Sequence, residues 1–271
     1  MKITAGLTAS TLLFVCGATL ASYITMATGF SITVSPAGLE LDVTSVNRGD
    51  EPAYGVQFEV QAGDKQFTSA QVTRLAVDEK TAERFPIGDA FDLPGHYPIV
   101  IKTHYKDGNA YPFSALTVGF YDHQEPVVSK ILMRTQNAAI PSNGSGTVSV
   151  LVRNTDSVPR DLDIVLHLPN ELVAVTERQS LQLAPGSEET LNYEVSNFSA
   201  LENSSYSIVL IAQYEDEERH YSTSGAAVAR ITAPAAMTHG SIWALVAGAA
   251  AVVVLALLIA ILLRRRQRVR S

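Results

Sequence analysis

Tyr97-Pro-Ile-Val-Ile-Lys-Thr-His-Tyr105-Lys-Asp107 and Tyr206-Ser-Ile-Val-Leu-Ile-Ala-Gln-Tyr214-Glu-Asp216 are one pattern written twice. At constant offset the two tyrosine pairs, Ile99 and Ile208, Val100 and Val209, and Asp107 and Asp216 coincide. A further tyrosine follows each turn, at Tyr111 and Tyr221. β-branched and aromatic residues crowd both copies, which suits a pleated, half-buried surface. Two copies of the same strand and turn predict a duplicated all-β body.

The residues around the second copy alternate with a period of two, the signature of strands with one buried face. Val148/Val150/Val152, Leu162/Ile164/Leu166/Leu168, Leu191/Tyr193/Val195 and Ile208/Leu210/Ala212/Tyr214 are separated by turn signals at Asn154-Thr-Asp156, Pro169-Asn170, Ala184-Pro-Gly186 and Glu215–Arg219. This half offers seven candidate strands at spacings of roughly 8–14 residues, the pattern of an immunoglobulin-like sandwich. The first half repeats it with Leu39/Leu41/Val43, Tyr54/Val56/Phe58/Val60, Tyr97/Ile99/Ile101 and Leu116/Val118/Phe120. Leu93-Pro-Gly-His-Tyr97 reads as a tyrosine corner, in which the Tyr opening a strand hydrogen-bonds nearby backbone; Leu201 and Tyr206 form a weaker counterpart.

The two ends of the chain predict its placement. Ile242–Leu263 is 22 residues without charge, amide or proline, with Trp243 near one end and Arg264, Arg265, Arg266, Arg268 and Arg270 beyond the other. As a helix it spans roughly 33 Å, enough for a hydrocarbon core of about 30 Å. The arginines place the C-terminus in the cytoplasm and the rest outside the cell membrane. Met1-Lys2 followed by an apolar stretch to about Leu20 and small residues at Thr19, Ala21, Thr25 and Ala27 describes a signal peptide. No charge returns between Ile3 and Leu39, so an uncleaved signal anchor is the alternative. The expected organisation is 1–30 signal segment, 31–123 first sandwich, 124–127 linker, 128–233 second sandwich, 234–241 juxtamembrane spacer, 242–263 transmembrane helix and 264–271 basic tail.

Setting aside Lys2 and the five tail arginines leaves 14 basic against 27 acidic residues, a net −13 for the exported part. Such a body should not bind nucleic acid or anionic lipid nonspecifically. Cys16 is the one cysteine, which excludes an intramolecular disulfide framework and a Cys-rich zinc site.

The run from Gly146 to Val195 resembles the CARDB and NEW3 families of immunoglobulin-like domains in prokaryotic envelope proteins. The residues that carry the likeness are Val148-Ser-Val-Leu-Val-Arg-Asn154, Asp163-Ile-Val-Leu-His-Leu-Pro169, Leu183-Ala-Pro-Gly186 and Tyr193-Glu-Val195. Val46-Asn47-Arg-Gly49-Asp-Glu-Pro52-Ala53 with Val56 is similar in the first half. The likeness spans roughly residues 39–62 and 128–231. It implies export, adhesion or scaffolding and carries over no catalytic site.

No motif for chemistry stands out. G-x-S-x-G, H-E-x-x-H and the phosphate-cradling G-x-x-x-x-G-K-[ST] are all missing from the sequence. The six histidines, His96, His104, His123, His167, His220 and His239, are scattered along the chain. Asp107-Gly-Asn109 suggests calcium, but the positive φ angles of a tight hairpin explain it better. Glu215, Asp216, Glu217 and Glu218 form an acidic hairpin tip, where a weak cation site competes with a solvated turn. Arg48-Gly-Asp50 spells an adhesion tripeptide, but Gly49 and Pro52 already account for a turn there. Asn143, Asn197 and Asn203 satisfy the glycosylation sequon. Small residues at Ala244/Gly248, Ala247/Ala251 and Ala256/Ala260 would permit lateral helix association.

These residues predict a non-enzymatic, membrane-anchored extracytoplasmic protein with no catalytic, cofactor or metal residues, whose two sandwiches bind a protein or glycan partner. The rival reading is an accessory subunit of a membrane transporter or polysaccharide-export complex that acts through its transmembrane helix.

Overall fold

The computed structural model describes residues 23–36 and 38–234. Most of the expected signal segment, Cys16, residues 235–241 of the spacer, the apolar run 242–263 and the arginine tail lie outside the described residues. Within them the chain is all-β. Its strands are β1 (Met26–Ser35), β2 (Gly38–Asn47), β3 (Ala53–Ala62), β4 (Lys65–Thr68), β5 (Val72–Leu75), β6 (Lys80–Pro86), β7 (Gly95–Lys106) and β8 (Pro112–His123). They continue with β9 (Ile131–Thr135), β10 (Ala138–Pro141), β11 (Ser145–Asn154), β12 (Arg160–His167), β13 (Leu172–Ala174), β14 (Arg178–Leu183), β15 (Glu188–Asn197), β16 (Ser205–Asp216) and β17 (Arg219–Thr232). The second half thus holds more strands than the seven expected, because β10 and β13 are too short to show a period.

The chain forms two compact units. The first comprises the described residues up to Ala90 with Ile101–Thr117, and the second Phe91–Val100 with the described residues from Val118 onward. β7 and β8 are long, and each contributes residues to both.

In the first unit β1, β2 and β6 make an antiparallel sheet in that order. β3 pairs with β4 and β5 along one edge and neighbours β7 on the other, and β8 pairs with β7. Alternation selects the buried side: Leu41 and Val43 of β2, Val56, Phe58 and Val60 of β3 and Phe85 of β6 are buried, while their neighbours are partly or wholly exposed. Met26 of β1 pairs with Asn47 and Phe30 with Val43. Residues 26–30, expected within the signal segment, are therefore strand. The uncharged composition that marks a leader also suits an edge strand, so the sequence held no boundary between the two.

The second unit repeats this plan. One sheet runs β14-β12-β16-β17, with β10 added in parallel beside β17, and the other runs β13-β15-β11-β9. Val148 pairs with Tyr193 and Val150 with Leu191 across β11 and β15. These side chains join Ile164, Leu166, Ile208 and Leu210 of the other sheet in one core, so the unit is sandwich-like. Each fully buried aliphatic side chain there stabilises the unit by roughly 1.5–3 kcal/mol.

A buried asparagine marks the end of the equivalent strand in each unit. Asn47 donates from Nδ2 to Glu51 O (2.8 Å) and Leu75 O (3.4 Å), and its Oδ1 accepts the Gly49 N–H (3.0 Å). Asn154 donates to Val158 O (2.8 Å) and Leu183 O (3.2 Å) and accepts the Asp156 N–H (2.9 Å). Each amide satisfies carbonyls that a turn would otherwise leave unpaired in the interior.

Candidate binding cleft

Leu93-Pro94-Gly95-His96-Tyr97 leads into β7 within the second unit. The expected tyrosine corner is present: Tyr97 Oη donates to Leu93 O (2.9 Å) and accepts the Leu93 N–H (3.2 Å). The weaker counterpart is also present, with Leu201 N–H donating to Tyr206 Oη (3.1 Å). Gly95 is required by close approach. It sits opposite His220 of β17, and a Cβ on it would lie 2.1 Å from His220 O. His220 N–H donates to Pro94 O (2.9 Å), and its ring stacks on Tyr97 at 4.1 Å between centroids.

Successive side chains on a strand point to opposite faces. Tyr97 turns inward onto Phe91, with centroids 4.6 Å apart, while His96 turns to the other side and stacks on Phe120 of β8 at 4.6 Å. The Nδ1 of His96 lies 2.6 Å from Asp122 Oδ1. These two rings floor a cleft of roughly 400 Å³ whose rim is Val127–Ser129 and Leu132 on one side and Ser222–Ser224 of β17 on the other. Lys130 N–H donates to Tyr214 Oη (3.1 Å), which pins the first rim to the sheet. Val128 is 79% exposed and Leu132 56%, whereas Ile131 between them is buried and anchors the segment.

Ser222, His96 and Asp122 have the composition of a nucleophile, base and orienting acid but not the geometry. Ser222 Oγ donates to the main-chain carbonyl of His96 (2.7 Å) and is almost wholly buried. Its proton is therefore committed to backbone, away from the imidazole a base would use. Nearby His123 is enclosed by Phe91, Tyr97 and Tyr121, and burial pushes its pKa down, which favours the neutral ring.

The other residues singled out in sequence resolve one by one. Asp107 Oδ1 accepts the N–H groups of Asn109 (2.9 Å) and Tyr111 (2.8 Å), which makes this segment a turn rather than a calcium loop. The positive φ falls on Ala110 (65°), not on the expected Gly108, because the loop is longer than a two-residue hairpin. Glu217 and Glu218 do form a tight hairpin, with φ of 48° and 61°. Asp216 pairs with Arg160 (2.8 Å) and Glu217 with Arg219 (3.9 Å), so two of the four carboxylates there face cations of the chain itself. Among the described residues no three His, Cys, Asp or Glu side chains are grouped to hold a metal.

In Arg48-Gly49-Asp50, Asp50 Oδ1 accepts the Tyr23 N–H (2.6 Å) and Arg48 pairs with Asp78 (2.9 Å). A Cβ on Gly49 would sit 2.3 Å from Tyr23 O, so this tripeptide works as a turn. Of the sequon asparagines, Asn197 uses its amide on Ser142 O and Ala200 O (both 3.0 Å), while Asn143 and Asn203 are exposed. His104 lies 3.0 Å from Glu59 in the first unit, whereas His96, His123 and His220 belong to the second. His239 lies outside the described residues. The cleft has no signal in the sequence: of the residues that line it, Val127 falls at the end of the expected linker 124–127 and the others within the two expected sandwiches.

No known family model matches this sequence, and no curated protein is similar to it. Among solved structures, trypsin-activated alpha-2-macroglobulin from Escherichia coli is 11% identical, with 77% of this chain and 18% of that one covered and a TM-score of 0.32. A protein of unknown function from Porphyromonas gingivalis W83 is 12% identical over 76% of this chain and 99% of its own, with a TM-score of 0.32. The YadV chaperone is 12% identical over 74% and 98%, with a TM-score of 0.29. The chain spans less than a quarter of the bacterial macroglobulins it is similar to. Likeness this slight carries no functional information.

Proposed function

We propose that this chain is a single-pass envelope protein that holds two immunoglobulin-like modules of CARDB/NEW3 type outside the membrane and acts by binding a protein or glycan, without catalysis. The observation that carries the reading is the joining of an all-β body to an uncharged 22-residue run, Ile242–Leu263, closed by five arginines. Three further features support it. The strand order β1-β2-β6 beside β4/β5-β3-β7-β8 suits the two layers of such a module, as does β13-β15-β11-β9 beside β14-β12-β16-β17. Tyrosine corners stand at Tyr97, ahead of β7, and at Tyr206, at the start of β16. The cleft at His96 and Phe120 offers a surface for a partner.

The test is photo-crosslinking in intact cells, with the full chain carrying a photoreactive residue at Leu132 or, as control, at exposed Val34. A discrete adduct through Leu132 alone is expected, together with cleavage of the 31–233 region by added protease. Protection of that region in intact cells sinks the placement. Loss of function on exchanging 242–263 for an unrelated apolar helix, with export intact, would favour the accessory-subunit reading instead.

A further inference from the structure

We propose that the end of the second unit formed by β13, the close of β15 and the loop after it is a lipid-docking surface, which rests Phe198 and Leu201 in the headgroup region of the membrane that holds Ile242–Leu263. This rests on the membrane-anchored reading above. Four large apolar side chains along β13 and the loop after β15 have their surfaces in water: Phe198 at 76% exposure and Leu201 at 45% in the loop, Val173 at 47% beside Ser196, and Val175 at 80% further in, opposite Glu194. Exposed apolar residues scattered singly need no explanation, but a group at one end of a domain marks an interaction site.

Pairing brings them together. Leu172–Ala174 lies antiparallel to Val195–Asn197, which sets Val173 beside Ser196, and Phe198 N–H donates to Glu171 O (3.0 Å) just beyond. The loop is held open rather than collapsed. Asn197 Oδ1 accepts the Ala200 N–H (2.7 Å), its Nδ2 donates to Ala200 O (3.0 Å), and Leu201 N–H is held by Tyr206. Phe198 is therefore presented outward by an ordered turn.

The chain leaves the unit at this same end. Asn203 N–H donates to Ile231 O (3.0 Å), Ile231 N–H to Ser204 O (2.9 Å) and Ser142 N–H to Thr232 O (2.9 Å). Between Pro234 and Ile242 stand residues 235–241, which reach at most about 25 Å when fully extended. A bilayer entered at Ile242 therefore lies within that distance of Phe198's end of the unit. The segments Pro141–Ser145, Leu168–Val175 and Asn197–Tyr206 contain no Lys or Arg. Contact there is made by apolar insertion, which is insensitive to salt, and not by attraction to anionic headgroups.

The experiment uses the full chain with Cys16→Ser and one new thiol, Phe198→Cys, labelled with an environment-sensitive fluorophore and reconstituted in phosphatidylcholine vesicles with or without brominated acyl chains. Val158→Cys is the control, on the loop at the opposite end of β11. The expected result is a blue shift and bromine-dependent loss of emission at 198 but not at 158, unchanged in high salt. Identical emission at both sites, in a chain that resists alkaline extraction from the vesicles, overturns the docking surface and leaves the anchor standing. Release of the chain by alkali overturns the anchor and the docking surface together. Val175→Cys, equally exposed, gives an independent second reading should the label at 198 disturb the turn.

Discussion

Replacing Tyr193 by Phe tests the account of the second core most sharply. Tyr193 is 1% exposed at the centre of β15, and its hydroxyl is buried with no hydrogen-bond partner among the described residues. Burial, with a smaller contribution from the Asp163 charge, pushes its pKa up to about 12 from an ordinary 10.0. A phenol harder to ionise in the folded state than in the unfolded one contributes stability that is complete below the unfolded value and is lost as pH rises towards the folded one. For values of about 10 and 12, linkage gives a loss of roughly 1.4 kcal/mol by about pH 11 and roughly 2.3 kcal/mol by about pH 12. Tyr193→Phe removes that loss. Near neutral pH it should be neutral or stabilising by up to about 1 kcal/mol, because an unpaired buried hydroxyl carries an uncompensated desolvation cost. The assay is guanidinium unfolding of the full chain in detergent micelles, followed by circular dichroism of strand content at neutral and alkaline pH. If Tyr193→Phe costs more than about 1 kcal/mol near neutrality, or loses stability with alkali as steeply as the parent, the hydroxyl is hydrogen-bonded and the reasoning is wrong.

The same unfolding assay tests the two tyrosine corners: Tyr97→Phe and Tyr206→Phe should each cost about 1–2 kcal/mol, since each hydroxyl bonds the backbone just ahead of its strand, and costs near zero would show that the corners hold nothing. Asn47→Ala and Asn154→Ala should each cost about 2–4 kcal/mol, because several buried backbone groups lose their partner at once; costs near zero would show water replacing the amide. Gly95→Ala sets a methyl 2.1 Å from His220 O and should lower the melting temperature and speed amide exchange at the His220 N–H, which bonds Pro94 O; an unchanged melting temperature would show that the strands part without cost. On the acid side, Arg160, with the Ser157 N–H, holds the Asp156 carboxyl below its usual range; this contribution is present above about pH 4 and fades as pH falls through the lowered value, so Arg160→Met should flatten the acid limb of a stability–pH profile.

Much of the fold was legible along the chain. Val148/Val150/Val152 and Leu191/Tyr193/Val195 alternate because a strand with one dry face must, and each of those side chains is buried. The repeated tyrosines identified both corners because a phenol at the start of a strand has few other ways to satisfy its hydroxyl in a core. Short elements were not legible: β10 and β13 span too few residues for a period to show, and residues 26–30 of β1 share the uncharged composition of a leader.

The candidate cleft was scarcely legible at all. His96, Phe120, Leu132 and Ser222 are far apart in sequence, and nothing about any one of them predicts that a parallel bridge at Gly95 and His220 brings them to one place. The same holds for Asn47 and Asn154, whose partners Leu75 and Leu183 come from distant strands. What the sequence determines by itself is the period of burial and the uncharged run at the end, because both are properties of consecutive residues. Which strand edges meet, which polar atoms are satisfied across them and where a hollow is left depend on contacts between distant segments, and only the tertiary structure decides those.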